Sequence, residues 1–363
     1  IVLTTKGELF SWGENEKGQC GTGDQSYKNK PTKVKFPVLS KNDFIKQISA
    51  AGNFNVVLTN HGKLYSWGNN HKLQCGIENL EVIFIPTEIP NLLKNENEKI
   101  TIIDTKEEKA IAFTNQNECY IWGEILKNSN FDKKSLPIKS LYPLHQALKY
   151  KKTRIARNLM TSSNLNKLDE FDKSPLYIAC KEGLEDIVKE LLEKRDPIKR
   201  KFNCSVDDSY KNPVDMATMM GYLSIVKLLL EHGLKGSEES IFEAISEDFD
   251  EIVKLLLDHQ VDLLDVKDFK GNTPLCVACI NGSVDIVKTI LSKGNGVQDQ
   301  PNENGESPLT LIFKFCSIRE KKISSYLSIA SLLLENQADV YFKNKEGLTA
   351  AMIASQNCHY ALL

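Results

Sequence analysis

The chain has 363 residues, with 46 lysines and arginines against 48 aspartates and glutamates, 41% hydrophobic and 26% charged. That balance excludes a disordered chain, and a net charge of −2 supplies no broad field toward nucleic acid or an anionic membrane. No apolar run reaches the roughly 18 residues of a membrane span, and at about 150 residues per domain the length predicts two domains or three.

Nine cysteines, at 20, 75, 119, 180, 204, 276, 279, 316 and 358, form no compact framework. Their odd number points to reduced thiols and a cytoplasmic address, with the nucleus as the alternative. The start carries no signal-peptide pattern. A first residue Ile1 and a last residue Leu363 lead to the expectation of a segment from a longer protein.

The first elements repeat. Gly7-Glu8-Leu9-Phe10-Ser11-Trp12-Gly13 returns as Gly62-Lys63-Leu64-Tyr65-Ser66-Trp67-Gly68, and Asn117-Glu118-Cys119-Tyr120-Ile121-Trp122-Gly123 is a third, eroded copy. The tryptophans at 12, 67 and 122 set a period of 55, which also maps Gln19-Cys20-Gly21 onto Gln74-Cys75-Gly76 and Pro31-Thr32 onto Pro86-Thr87. Ile48-Ser49-Ala50 and Val56-Val57-Leu58-Thr59 read as strands, Asn60-His61-Gly62 as a tight turn, and Leu64-Tyr65-Ser66-Trp67 as the returning strand. About four short strands per unit describe a propeller blade.

This pattern resembles the repeat of the regulator of chromosome condensation family, a Gly-x-(Leu/Val)-(Tyr/Phe)-x-Trp-Gly run followed by Gly-Gln-Leu-Gly, over residues 1 to about 123. Cys20 and Cys75 depart from its leucine, Leu73 from its glycine, and the third copy lacks the second run. The resemblance implies a partial β-propeller of about three blades, opened inside a blade, where the family closes seven; the tryptophans are expected in the blade core.

From Pro143 the spacing becomes helical. Ser174-Pro175-Leu176, Asn212-Pro213-Val214 and Thr273-Pro274-Leu275 each precede a glycine (Gly183, Gly221, Gly282) by 8 residues from the proline and an Ile-Val pair by 12. A cap residue before proline starts a helix, the glycine ends it, and Ile-Val-x-x-(Leu/Ile)-Leu puts an apolar stripe on a second helix. Neither helix buries its face alone, so the units must stack.

The frame resembles the ankyrin repeat, best seen in Gly271-Asn272-Thr273-Pro274-Leu275 and Gly305-Glu306-Ser307-Pro308-Leu309. Units start at 143, 175, 213, 240, 274, 308 and 350. The unit at Ser240 has Asp248 where the others have glycine, an insertion falls near Lys314 to Ser325, and the unit at Ala350 is expected to stop inside its second helix. The fold class is therefore multidomain β plus α: a partial β-propeller over 1–142, then an ankyrin helical solenoid over 143–363 with about six repeats and a truncated one. Only a short junction, with Ser135-Leu136-Pro137-Ile138 as one more strand, lies between them.

No chemistry stands out against this framework. Cys276-x-x-Cys279 has the spacing of a metal or redox pair, yet both are ordinary first-helix positions of the repeat and no second pair completes a zinc site. Gly18-Gln19-Cys20-Gly21-Thr22-Gly23 outlines a phosphate loop but lacks the following lysine and opens no helix; its recurrence at 74–76 makes it a blade turn. His232 and His259 end second helices, where a partial positive charge suits the dipole. Residues 1–142 hold 18 basic and 16 acidic groups and the remainder 28 and 32, so neither part has the composition of a nucleic-acid groove. Lys194-Arg195 and Lys199-Arg200-Lys201 read as a solvated loop.

The expected function is a non-enzymatic protein–protein interaction scaffold without cofactor or metal. Ankyrin resemblance implies partner binding through hairpin tips, here Lys173, Tyr210, Phe269, Lys270, Asn272, Glu306 and Glu346, with Phe269 and Tyr210 as anchors. Two alternatives follow from the propeller resemblance: a guanine-nucleotide exchange factor for a small GTPase, or the targeting region of a ubiquitin-ligase adaptor or kinase whose catalytic domain lies outside this chain.

Overall fold

A computed structural model describes residues 1–90, 93, 97–124, 138–161, 163–194, 212–294, 296–316 and 323–356. Packing divides the chain into two compact units, Ile1–Asn164 and Leu165–Leu363.

In the first unit the β-favouring runs form three antiparallel meanders. The first sheet is β1 (Val2–Leu3), β2 (Leu9–Gly13) and β3 (Lys28–Lys33); the second is β4 (Ile45–Ala51), β5 (Phe54–Thr59), β6 (Leu64–Asn69) and β7 (Val82–Glu88). The third, β8 (Ile100–Lys106), β9 (Lys109–Thr114), β10 (Cys119–Gly123) and β11 (Ile138–Lys139), is a complete four-stranded sheet despite its eroded sequence. Of the strand expected at 135–138, Ile138 pairs with Ile121, and residues 135–137 lie outside the described residues. The glycine after each tryptophan is positive in φ, 103° at Gly13, 109° at Gly68 and 101° at Gly123. A Cβ at Gly68 would fall 2.2 Å from the Asn53 carbonyl oxygen, so only glycine lets the paired strands approach.

The second and third sheets each set their tryptophan against the turn of the sheet before. Trp67 Nε1 donates to the Gln19 carbonyl at 3.1 Å, and Asn55 Nδ2 donates to the same oxygen at 2.8 Å. A Cβ on Gly21 would stand 2.7 Å from the Trp67 ring, and one on Gly76 would stand 3.1 Å from Trp122. The Gly-Gln-Cys-Gly turn is thus the seat of the following blade's indole. Trp67 and Trp122 are buried, but Trp12 is 49% exposed. The expectation of a blade-core tryptophan therefore holds for Trp67 and Trp122 and not for Trp12.

The first helix pair, α1 (Pro143–Lys149) and α2 (Thr153–Leu159), packs in the same unit as the sheets. Ala110 and Ala112 of β9 join the core shared with the second sheet, so the pleat turns Ile111 and Phe113 to the opposite face, where both are fully buried. Phe113 pairs across the ladder with Cys119. Tyr150, which ends α1, has its hydroxyl pushed well up by burial and by the nearby Cys119 and Asp104, and Lys152 forms an ion pair with Asp104. The turn between the two helices thus reaches the third sheet through Tyr150 and Lys152.

The second unit stacks helix pairs: α3 (Pro175–Lys181) with α4 (Glu185–Glu193), α5 (Pro213–Met219) with α6 (Leu223–Glu231), α7 (Glu238–Ser246) with α8 (Asp250–His259), and α9 (Pro274–Asn281) with α10 (Val284–Lys293). Then follow α11 (Pro308–Cys316), α12 (Ile323–Glu335) and α13 (Ala350–Gln356). Ser174, Asn212 and Thr273 cap their helices as the sequence predicts, accepting from Tyr177, Val214 and Cys276 amides. Gly183, Gly221 and Gly282 adopt φ of 70°, 69° and 73°, and Asp248 takes the same conformation at 61°. The insertion after Lys314 lengthens the helices beside it, since α12 runs 13 residues where α4 and α6 run nine. The second helix expected after α13 lies outside the described residues.

Candidate protein-interaction surface

The hairpin tips before the first helices share one device. Asp169, Asp268, Asn302 and Asn344 each stand six residues before a helix start. Each uses a side-chain oxygen to accept the amides two and four residues on: Phe171 and Lys173, Lys270 and Asn272, Asn304 and Glu306, Glu346 and Leu348. The fourth residue of each turn is left-handed, Asp172, Gly271, Gly305 and Gly347. An Asx side chain that mimics the backbone makes the tip rigid. Sequence reasoning missed these four residues, although a recurrent Asp or Asn six positions ahead of the helix was a readable signal.

Successive tips are fastened to one another. Asn302 Nδ2 donates to Asn272 Oδ1 at 3.1 Å, and the Lys345 amide donates to the Asn304 carbonyl at 3.3 Å. A Cβ on Gly271 would overlap the Glu303 side chain at 1.9 Å. The three tips at 268–272, 302–306 and 344–348 form one contiguous face.

The seven predicted residues divide by place. Phe269 projects from this face, 91% exposed, with Lys270 Nζ 5.2 Å from its ring centroid. Glu346 is exposed on the last tip, and Lys173 lies 4.5 Å over the Tyr177 ring at the tip before α3. Asn272 and Glu306 were expected as exposed contacts but are buried. Asn272 holds Asp268 and Asn302 together. Glu306 accepts from Asn302 Nδ2 at 2.9 Å and pairs with Lys314. Burial works to raise the Glu306 carboxyl, but the Lys314 and Asn302 hydrogen bonds outweigh it and hold it below the usual carboxylate range. Both residues build the tips. Tyr210, with most of the basic loop at 195–201, lies outside the described residues.

Cys276 and Cys279 are fully buried, and burial pushes both thiols up, the reverse of a reactive or metal-binding pair. Among the described residues no group of three or more His, Cys, Asp or Glu is arranged to hold a metal, and no helix is long and apolar enough to cross a membrane. His232 and His259 turn Nδ1 to the Leu228 and Leu255 carbonyls, as helix-end residues do.

Comparison with known proteins follows the same division. The regulator of chromosome condensation (RCC1) repeat matches residues 6–58 and 61–104, and ankyrin repeats match 144–240 and 241–320. An RCC1 domain-containing protein of Arabidopsis thaliana, RUG3, mitochondrial, is 33% identical over 124 residues, 34% of this chain and 26% of that protein. The mouse X-linked retinitis pigmentosa GTPase regulator is 36% identical over 89 residues, 24% of this chain and 9% of its own length. The chain thus spans about a quarter or less of these relatives. Among solved structures, the ankyrin repeat domain of Bcl-3 aligns with a TM-score of 0.46 at 23% identity, covering 58% of this chain and 93% of that domain.

Proposed function

We propose that this multidomain repeat protein, in which regulator of chromosome condensation repeats precede ankyrin repeats, works as a non-enzymatic scaffold that holds partner proteins on its ankyrin hairpin tips. One observation carries the reading: Phe269 is 91% exposed on a tip that side-chain hydrogen bonds have already made rigid. An apolar anchor that loses little freedom on binding is the composition of a hot spot. Lys270 and Glu346 supply polar contacts on the same face, while Asn272 and Glu306 hold it in shape. Neither part of the chain is basic in balance, which favours proteins over nucleic acid or membranes as partners. The seven described cysteines are free and buried, in keeping with a reducing cytoplasmic or nuclear address.

Site-specific photo-crosslinking from position 269 of the chain, followed by affinity measurement on each captured protein, tests the surface. Phe269→Ala is expected to weaken a genuine tip partner by about tenfold or more, that is over 1.4 kcal/mol. Unchanged affinity for every captured partner removes the assignment. Similarity to a GTPase regulator makes a small GTPase the first candidate class, and nucleotide release from a GTPase panel is the assay: no acceleration by the chain retires exchange activity and leaves scaffold binding intact.

A further inference from the structure

A second surface lies along the turns between first and second helices. These turns stack through the glycines that end the first helices. A Cβ on Gly183 would meet the Tyr222 ring at 3.0 Å, and one on Gly221 would meet the Phe249 ring at 2.8 Å. Ser224 Oγ donates to Glu185 Oε2 at 2.6 Å across the same row. The α3–α4, α5–α6 and α7–α8 turns are therefore immediate neighbours.

The middle turn is apolar where its neighbours are charged. Met219, Met220 and Leu223 are 36%, 42% and 41% exposed. In the preceding unit the same positions are Lys181, Glu182 and Glu185, and in the following unit Ser246, Glu247 and Asp250. The fold therefore does not need apolar side chains there. Scattered surface hydrophobes require no explanation; three at one turn, two of them adaptable methionines, mark a surface that packs against something.

Charge identifies the occupant. Between Lys235 and Lys254 the chain has seven carboxylates (Glu238, Glu239, Glu243, Glu247, Asp248, Asp250 and Glu251) and no lysine or arginine, in a protein whose net charge is only −2. Among the described residues no ion pair engages any of the seven. Four of them, Glu247, Asp248, Asp250 and Glu251, are exposed on the turn that flanks the methionines, and Asp186 is exposed on the other flank. We propose that this row of turns docks a basic amphipathic segment of a partner protein. The segment's apolar side seats on Met219, Met220 and Leu223, and its lysines or arginines face the carboxylates on either flank. Such a peptide loses its self-repulsion on the acidic rim and its exposed apolar stripe on the island, which an acidic or wholly polar segment cannot do. The inference rests on the scaffold reading only for the premise that the chain binds proteins.

The test titrates the full chain into three fluorescein-labelled peptides of about 14 residues, long enough for an amphipathic helix to lay down its anchor stripe. One carries lysine and leucine on opposite helix faces, one is its scramble, and one replaces each lysine by glutamate. The amphipathic basic peptide is expected to bind at least about fivefold tighter than the scramble, to weaken with added salt, and to leave the acidic peptide unbound. Met219→Glu with Met220→Glu, and separately Asp250→Lys with Glu251→Lys, are each expected to weaken it about tenfold, and hydrogen-exchange protection should fall on 219–224 and 246–251. Leu223→Ser provides an independent apolar variant should either double variant melt early. Equal affinity for the scramble, indifference to these substitutions, or protection confined elsewhere overturns the proposal. Phe269→Ala is expected to leave the peptide's affinity unchanged, so failure here and failure of the tip surface are read separately.

Discussion

At Gly221 two requirements meet on one residue. Its φ of 69° is left-handed, and the Phe249 ring occupies the space a Cβ would need. Asp248 occupies the corresponding place one unit later with a φ of 61°, and its strain is what a non-glycine residue brings there. The two sites therefore respond in opposite directions. Gly221→Ala is expected to destabilise the ankyrin array by about 2–4 kcal/mol, combining backbone strain with overpacking. Asp248→Gly is expected to stabilise it by about 1 kcal/mol. Urea unfolding followed by far-UV circular dichroism measures both; a loss of stability in Asp248→Gly contradicts the account. The glycines were legible in the sequence as helix ends, but the aromatic ring that makes Gly221 irreplaceable is a contact between units, and no spacing rule reports it.

At the scale of the element, the hairpin tip shows how much of a candidate site a sequence reveals. Its position was readable from the Ser/Thr-Pro helix starts, and Phe269, Lys270 and Glu346 are on the surface where a tip residue belongs. Asn272 and Glu306 are not, because each tip leans on the next and a polar side chain there satisfies its neighbour. Glu306 has a measurable signature. Its carboxyl is held below the usual range, so its contribution to stability is fully present above the ordinary carboxylate pKa of 4.5 and is lost as pH falls through the lowered value. Glu306→Gln is expected to cost about 1–2 kcal/mol near neutrality, with the gap to the unaltered chain closing below about pH 4.5. A gap that stays constant from pH 7 to pH 3 shows that the Lys314 pair contributes nothing. The blades tell a similar story. Their 55-residue period located Trp67 and Trp122 in the core, whereas the turn each indole lies on belongs to the repeat before it, a contact that neither repeat encodes alone.

Across the whole molecule, the change of period at Pro143 and the division of packing at Asn164 do not coincide. The helix pair α1–α2 has an ankyrin sequence but packs in the unit of the sheets, where Tyr150 and Lys152 reach Cys119 and Asp104 of the third sheet; the pair is the candidate cover for the face that holds Ile111, Phe113 and Cys119. A chain ended at residue 142 is therefore expected to expose that face. It should bind a hydrophobic dye and melt at least about 5 °C below a chain ended at residue 164, a shift of about 1.5 kcal/mol for a unit of this size. Equal melting of the two chains rules out a covering role for α1–α2. Charge is also organised at this scale: near balance overall, it is concentrated as carboxylates on the unit from Glu238 to Glu251, next to the exposed methionines of the unit before it.

The sequence by itself determined what depends on local period. Alternation and a 55-residue repeat dictate the sheets, while cap-proline starts and glycine stops dictate the helix pairs, because each such choice is made within a few residues of backbone. Tertiary structure alone decided which residues of those elements stay free. Burial of Asn272 and Glu306, the seating of Trp67 on the Gln19 turn, and the placing of Met219, Met220 and Leu223 beside the carboxylates of the next unit are set by which repeat lies beside which. That adjacency acts through packing and the desolvation of polar groups rather than through the propensity of any single segment.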